Sequence, residues 1–167
     1  MKSVTRRGHK KAKNNSGVIA NRRAGYDYAL SDKVIAGISL NGRETKAARL
    51  GRVSLRGAYV TAYRNDRTGR PELYLINASF TLDNNVSKGS GEPVSTVDTR
   101  ARKLLLHRKQ IERLVEAKNS GLTIVPTRLL TGGKHIKVEI ALGKGKKQYD
   151  KRQSIKERDY RREARYS

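Results

Sequence analysis

Runs of apolar and β-branched residues predict strands through the middle of the chain. Two short runs, 26–30 and 34–40, stand on either side of a Ser31-Asp32 turn signal. Runs 53–63 and 71–80 are predicted to form a hairpin around residues 65–69. Pro71 opens the second of these strands, where its missing N–H does least harm. The pattern therefore predicts antiparallel pairing between neighbouring segments.

The last two predicted strands cover residues 122–130 and 135–142 and are joined by a Thr-Gly-Gly-Lys turn. The final strand has a period of two, which predicts one apolar and one polar face. The apolar positions are Ile136, Val138, Ile140 and Leu142; the alternating ones are His135, Lys137, Glu139 and Ala141.

Two segments carry helix signals. In the first, Asn41 can cap the N-terminus, Glu44 stands where a capping box needs it, and Gly51 closes a helix of about 42–50. The second and longest helix is predicted to start at Asp98 or Thr99 and to end between residues 119 and 121. Its apolar stripe consists of Ala101, Leu104, Leu105, Ile111, Leu114 and Val115. Residues 84–93, rich in Gly, Ser and Asn, are predicted to be a surface loop.

This order of elements predicts an α+β fold that is mainly β. The expected architecture is a small antiparallel barrel of about six strands with two or three helices, related to the oligonucleotide-binding (OB) barrels. The expected organisation is a basic N-terminal arm over residues 1–16, a barrel core over 17–143 and a basic C-terminal tail over 144–167.

Charge narrows the class of partner. The 167 residues contain 38 Lys and Arg against 15 Asp and Glu, a net charge of +23. Cations that neutralise phosphates release counterions, so a nucleic acid is the leading partner. An anionic membrane would require a basic amphipathic helix or a lipidation signal, and neither is present in the sequence. The absence of cysteine and of a secretory signal favours a cytoplasmic location.

The cations concentrate at the two ends. Residues 1–23 hold eight basic and no acidic residues, and residues 144–167 hold ten basic and four acidic ones. In the C-terminal segment Tyr149, Tyr160 and Tyr166 alternate with the cations, a combination that can stack on bases and hold phosphates. Without a continuous apolar stripe, this tail is predicted to form a full helix only against a partner.

Candidate catalytic chemistry is sparse in the sequence. His9, His107 and His135 lie in unrelated contexts, and the carboxylates mostly stand beside cations. The run from Gly143 to Lys147 lacks the spacing and the Ser or Thr of a phosphate-binding loop. These features favour binding over catalysis, with no metal and no cofactor expected.

Several segments together resemble one family, the SsrA-binding proteins, or small protein B, of bacterial trans-translation. They are Asn21-Arg22-Arg23-Ala24 and the stretches 36–52, 100–107, 121–130 and 137–159. The pairing of RKLLLH with GKGKKQYDKR is the most specific part, and the resemblance spans about residues 17–163. It implies an OB-like barrel that binds the tRNA-like domain of tmRNA and delivers it to stalled ribosomes. Elongation factor Tu with charged tmRNA and small-subunit rRNA are the other implied partners of a monomer.

The resemblance also implies functional residues, all in the numbering of this chain. Those expected to bind tmRNA are Arg22, Arg23, Glu44, Leu105, His107 and Lys137. Those expected to act in the tail, at the decoding centre and in the mRNA channel, are Lys144, Lys146, Lys147, Tyr149, Asp150, Lys151, Arg152 and Tyr160.

The residues themselves leave alternatives open. By periodicity Leu105 fits a core position, Glu44 fits a capping box, and His107 fits an ordinary surface position. The chain also departs from the family, with Ile35 in place of an acidic residue, His107 in place of Asn, and Arg56-Gly57-Ala58 in place of Ser-Asp-Ser. The functional alternatives are a structural ribosomal protein that binds rRNA through both arms and, less well supported, an RNA-processing enzyme.

Overall fold

A computed structural model describes residues 17–83 and 95–147, together with positions 150, 152, 153, 155 and 156. Three helices are α1 (Ala24–Asp27), α2 (Gly42–Arg49) and α3 (Arg108–Asn119). The strands are β1 (Val18–Ala20), β2 (Tyr28–Ile38), β3 (Val53–Ser54), β4 (Tyr59–Arg64), β5 (Pro71–Ile76), β6 (Ser79–Asp83), β7 (Ser95–Asp98), β8 (Arg102–Leu105), β9 (Thr123–Leu130) and β10 (Lys137–Gly145). The loop predicted over residues 84–93 lies outside the described residues.

Six strands close into an antiparallel barrel in the order β9-β10-β2-β8-β5-β4. The ring is completed where Val60 of β4 pairs with Ile124 of β9. β1 pairs with the other end of β9, and β3, β6 and β7 form a separate sheet of three strands. Fully buried aliphatic residues fill the interior: Leu73, Leu75, Ile124, Leu129, Val138 and Ile140. The predicted fold class, a mainly β barrel of about six strands with two or three helices, is confirmed.

The sequence predicted correctly those features that depend on residues close together in the chain. α2 carries the predicted capping box: Asn41 Oδ1 accepts from the Glu44 N–H at 2.8 Å, and Glu44 Oε2 accepts from the Asn41 N–H at 2.8 Å. Gly51 follows the helix with a φ of 73°, as a C′ residue requires. β4 and β5 form the predicted hairpin, with Pro71 as the first residue of β5.

The predicted turn at Ser31-Asp32 is wrong. β2 is one strand of eleven residues, and Asp32, with a φ of 40°, is an extra residue within it. Across the pair with β10, Ala141 faces Lys33 while Leu142 faces Ser31, so Asp32 has no partner in the register. A β-bulge therefore stands where the turn was expected, because the long partner strand holds both halves in one sheet.

The predicted start of the long helix is also wrong. Residues 102–105 form strand β8, and α3 begins at Arg108. Leu104 is buried inside the barrel and Leu105 faces outward, the alternation of a strand. β8 fills the gap between β2 and β5, so pairing with distant strands overrides a pattern that also fits a helix.

Candidate nucleic-acid interface

Three adjacent strands bring Leu105 and Lys137 together on the outside of the barrel. In β2, Gly37 pairs with Leu105 of β8 on one side and with Lys137 of β10 on the other. A Cβ at Gly37 would lie 3.2 Å from Leu105 Cβ, so the glycine leaves room for Leu105 beside β2. Leu105 remains 55% exposed, which excludes the core position that its periodicity allowed. Two predicted RNA-binding residues thus share one surface.

Ile35 extends the same surface. It precedes Gly37 by two residues, so both point to the same side of β2, and it is 55% exposed. Ile35, Gly37, Leu105 and Lys137 together are called the Leu105 face. His107 follows Leu105 by two residues as the exposed N-cap residue of α3, and its N–H donates to Gln110 Oε1 at 3.2 Å.

A groove of about 430 Å³ borders the Leu105 face. Gly37, Leu105 and Lys137 line it together with Lys134 and His135, two residues that were not predicted from the sequence to belong to the site. The Thr-Gly-Gly-Lys turn was the available signal, because it leads directly into the strand that carries Lys137. Neither Lys134 nor Lys137 makes an ion pair within residues 17–83 and 95–147.

Glu44 lies in a different environment: it stands in the first turn of α2 and is fully buried. Arg100 donates to both of its carboxylate oxygens, from Nε at 2.7 Å and from Nη2 at 2.6 Å. Arg102 donates from Nε at 2.9 Å. With no exposed surface, Glu44 cannot contact RNA directly. Two partners of Glu44 reach the surface: Arg100, whose side chain is 46% exposed, and Asn41.

Arg102 is the second half of this buried cluster. Its side chain is fully buried, and its guanidinium carbon lies 3.9 Å from the centre of the Phe80 ring. It also donates to the carbonyl oxygens of Ala78 at 3.0 Å and Arg100 at 2.8 Å. The cluster therefore links α2, β6 and β8 through two ion pairs to Glu44, which stabilise these elements relative to one another.

The charges around Glu44 also set its protonation. Burial alone would raise the pKa of Glu44, but hydrogen bonds from Arg100 and Asn41 and the positive charges of Arg102 and Arg100 outweigh it. The pKa of Glu44 is therefore lowered, and the carboxylate stays ionised at neutral pH.

A second buried carboxylate lies beside the Leu105 face. Glu139 faces away from the barrel interior as the alternation predicted, but it is buried rather than solvated, because Arg128 covers it with bonds of 2.6 and 3.2 Å. Thr127 adds a hydrogen bond of 2.6 Å. The bond from Arg128 is the main reason that the pKa of Glu139 is lowered. Acidic charge next to this face is thus neutralised inside the protein.

Arg22 and Arg23 are not brought to the Leu105 face. They follow β1, which pairs with β9, and β9 stands three places from β8 in the ring of six. Arg23 pairs with Asp27 at 3.0 Å, while Arg22 is exposed. The predicted RNA-binding residues therefore fall on two separate surfaces and, with Glu44, in one buried cluster.

The start of the C-terminal tail is attached to the barrel. β10 continues through Lys144 to Gly145, two residues past the predicted end of the core. Lys146 Nζ then donates to the Gly25 carbonyl oxygen at 3.0 Å, and the Lys146 N–H donates to the Asp27 carbonyl oxygen at 2.9 Å. These bonds fix the point at which the tail leaves the core.

Beyond this point only part of the tail is described. The Lys147 N–H donates to Asp150 Oδ2 at 3.2 Å, and Asp150 and Arg152 have helical backbone. Tyr149, Lys151 and Tyr160 lie outside the described residues.

A closed antiparallel barrel with exposed cations on two of its sides defines the class, a small OB-like binding barrel. No helix among the described residues is long and apolar enough to cross a membrane. Within the same residues, no three His, Asp or Glu side chains gather where they could hold a metal ion.

The chain belongs to the SmpB protein family, whose family model matches residues 18–167. It is 38% identical to an SsrA-binding protein of Lactobacillus helveticus, over 93% of this chain and 96% of the relative. It is 43% identical to an SsrA-binding protein of Dehalococcoides mccartyi, over 86% of this chain and 77% of the relative. A chain in a solved structure of tmRNA-SmpB in the bacterial ribosome is similar at 33% identity and a TM-score of 0.58, over 80% of this chain and 87% of that one.

Proposed function

We propose that this protein is an RNA-binding adaptor of bacterial trans-translation. It binds the tRNA-like domain of tmRNA through the barrel and delivers that RNA to ribosomes stalled without a stop codon. Elongation factor Tu accompanies the charged tmRNA, and the adaptor acts as a monomer in the cytoplasm. Rescue and tagging of the nascent chain follow. The chemistry belongs to the ribosome and to the synthetase that charges tmRNA.

The observation that carries this proposal is the Leu105 face. Full burial of a leucine contributes about 1.5–3 kcal/mol, so a barrel strand that leaves one exposed forgoes that stabilisation. Leu105 offers apolar contact to a base or a ribose, and the neighbouring Lys137 offers a charge to a phosphate. Membership in a family of SsrA-binding proteins supports tmRNA as the RNA that fits there.

The tail is proposed to act on the ribosome rather than on tmRNA. Its working residues at the point where it leaves the barrel are Lys144, Lys146 and Lys147. Those that would enter the decoding centre and the mRNA channel as a helix are Tyr149, Asp150, Lys151, Arg152 and Tyr160. Two features support this division: the attachment of Lys146 to the core and the helical backbone at the described tail positions. The likeness to a chain of tmRNA-SmpB in the bacterial ribosome supports the ribosome as the partner.

Truncation after Lys147 tests the division, because it keeps β10 and the attachment of Lys146. The truncated protein should bind the tRNA-like domain with an affinity within about twofold of the full chain, since the Leu105 face is intact. It should fail to support tagging of stalled chains in a purified translation reaction. The substitution Asp150→Ala/Lys151→Ala/Arg152→Ala should reproduce this loss, and Gln153→Ala is the neutral control. Tagging by the truncated protein would refute the role of the tail, and loss of tmRNA binding would refute the role of the barrel.

A further inference from the structure

A second groove, with a volume of about 380 Å³, lies on the other side of Leu105. Strand β8 stands between β2 and β5, so Leu105 separates this groove from the one beside Lys137. The groove opens between β5, β8 and the first turn of α3, and we call it the β5 pocket. The residues that define it are Arg70, Pro71, Leu104, Leu105, Leu106 and Ile111. Its volume is typical of sites for small molecules, roughly 300–1,000 Å³.

The wall of the β5 pocket is mainly apolar. Leu104 is buried in the barrel core, whereas Leu106 and Ile111 pack against that core and are only half-buried. Pro71 adds an apolar ring at the start of β5 and is also half-buried. Contiguous apolar surface that stays exposed on a soluble protein marks a site of interaction. The pocket thus extends the apolar surface of Leu105 towards β5.

The two carboxylates that line the pocket are neutralised by the protein itself. Lys103 Nζ lies 2.7 Å from Glu72 Oε1, and Arg108 Nε donates to Glu112 Oε1 at 2.8 Å. Asn65 Nδ2 also donates to Glu72 Oε1, at 2.8 Å. Neither carboxylate therefore presents an uncompensated negative charge to a polyanion.

Arg70 is the remaining cation of the pocket lining, and its charge is available. Its side chain is exposed and makes no ion pair with any other residue in the described part of the chain. An exposed arginine beside an apolar pocket can hold a phosphate while the pocket takes the base attached to it. The β5 pocket therefore combines apolar surface with one available positive charge.

Arg70 belongs to a turn of fixed geometry between β4 and β5. The Asn65 N–H donates to the Arg70 carbonyl oxygen at 2.9 Å, and the Asn65 carbonyl oxygen accepts from the Gly69 N–H at 2.8 Å. Asn65 Oδ1 accepts from the N–H groups of Arg67 and Thr68 at 3.0 and 3.1 Å. Gly69 has a φ of 65°, a left-handed conformation that glycine adopts without strain. The backbone that carries Arg70 is therefore in place before a ligand binds.

We propose that the β5 pocket receives an unpaired base of the RNA bound on the Leu105 face, and that Arg70 holds the phosphate attached to that base. Asn65 is the positioning residue. Continuity favours RNA as the occupant, because Leu105 lines both grooves and an RNA in contact with it lies next to the pocket. Only an unstacked base can enter such a pocket, so the nucleotide belongs to a single-stranded part of the RNA. The inference rests on the proposed function and adds a base-binding subsite to it.

The first experiment separates Arg70 from general positive charge. In the full-length protein, Arg70→Ala should reduce the slope of log K against log[salt] for the isolated tRNA-like domain by about 0.7 to 1. The matched control is Arg67→Ala, because Arg67 is an exposed cation of the same turn that does not line the pocket. Its slope should equal that of the wild type. An unchanged slope for Arg70→Ala, or an equal fall for Arg67→Ala, would overturn the role of Arg70.

The second experiment tests for the base. Tranfer-RNA-like domains that each lack one unpaired base are measured against the wild type and against Ile111→Phe, which fills the pocket. Removing the bound base should weaken wild-type binding about tenfold and should weaken Ile111→Phe binding no further. Val115→Phe, the same kind of enlargement one turn along α3 and outside the pocket, should respond to base removal like the wild type. If urea unfolding shows that Ile111→Phe does not fold, Leu106→Phe fills the pocket from β8 instead.

The outcomes distinguish the pocket from the proposed function. If the wild-type protein failed to bind the tRNA-like domain, the proposed function would fall. If the wild type bound but base removal affected it and the filled variant equally at every position, the proposed function would stand without the base pocket. Wild-type RNA affinity for the filled variant, combined with a loss of tagging in a purified translation reaction, would overturn RNA as the occupant and indicate a protein.

Discussion

Glu44 and Leu105 are both predicted to serve RNA binding, yet their surroundings are opposite. The apolar side chain is 55% exposed on the outside of the barrel, and the charged one is fully buried. Leu105 forgoes the stabilisation that burial would give, whereas Glu44 is ionised in the interior and held by two arginines. An exposed leucine on a rigid strand is suited to direct contact, and a buried glutamate is suited to holding other residues in place.

Removing the charge of Glu44 should have the largest effect on stability. Glu44→Gln leaves Arg102 buried, with only Asp98, at 3.6 Å, as a counter-charge among the described residues. Breaking a buried ion pair costs about 3–5 kcal/mol, and we expect a loss near the lower end because the amide keeps some hydrogen bonds. Urea unfolding measures this loss.

The control for Glu44→Gln is Glu112→Gln, which breaks the exposed pair between Arg108 and Glu112 at 2.8 Å. That change should cost less than about 1 kcal/mol. Equal losses of stability in the two variants would show that the buried ion pairs of Glu44 contribute no more than the exposed pair.

Leu105→Ala should affect RNA affinity and leave stability nearly unchanged. Truncating a contact residue at the centre of an interface commonly costs more than about 1 kcal/mol, so we expect a loss of about tenfold in affinity for the tRNA-like domain. The free energy of unfolding should change by less than about 0.5 kcal/mol, as for other exposed positions. Leu50→Ala is matched, because Leu50 is 52% exposed at the end of α2. A similar affinity loss for Leu50→Ala would contradict the assignment of the Leu105 face.

Arg100→Ala should have a smaller effect on RNA binding. It tests whether Glu44 contributes to RNA binding as well as to stability. If Glu44 holds Arg100 towards a phosphate, this variant should reduce the slope of log K against log[salt] by about 1. Arg100→Lys should be intermediate, since lysine keeps the charge but cannot form the paired bonds to the carboxylate. Arg113→Ala, which removes an exposed cation paired with Asp32 at 3.3 Å, is the control. An unchanged slope for Arg100→Ala would leave Glu44 with a structural role alone.

Lowering the pH should reduce the free energy of unfolding gradually. The pKa values of Glu44 and Glu139 are lowered in the folded protein, so their contribution is complete above the ordinary glutamate value of 4.5 and is lost as pH falls below it. Urea unfolding between about pH 6 and pH 3 should show falling stability, and Glu44→Gln should flatten part of the fall. Stability that rose on acidification would contradict the lowered pKa values.

The contrast between Glu44 and Leu105 also explains what could be predicted from sequence. The capping box of α2 depends on residues three apart, and the β4–β5 hairpin depends on a short turn, so both were predicted correctly. Strand β8 was not predicted, because the Leu104–Leu106 run at its end fits the period of a helix as well as that of a strand. Its pairing with β2 and β5, which are distant in sequence, decides that it is a strand. The partners of Glu44 lie 56 and 58 residues away, a separation that leaves no local signal.

The departures that the resemblance indicated lie in different environments. Ile35 is exposed on the Leu105 face, and Arg56 is exposed in the turn between β3 and β4. Ala58, by contrast, is buried in the barrel core.

The central claim is that the barrel binds one RNA, tmRNA, through the Leu105 face. The most direct test is to sequence the RNA that copurifies with the full-length protein from its host, for the wild type and for Leu105→Ala. We expect one tRNA-like species to be strongly enriched with the wild type and to be depleted with the variant. Recovery of ribosomal RNA in its cellular proportions, with no enriched tRNA-like species, would contradict the claim and favour a structural ribosomal protein.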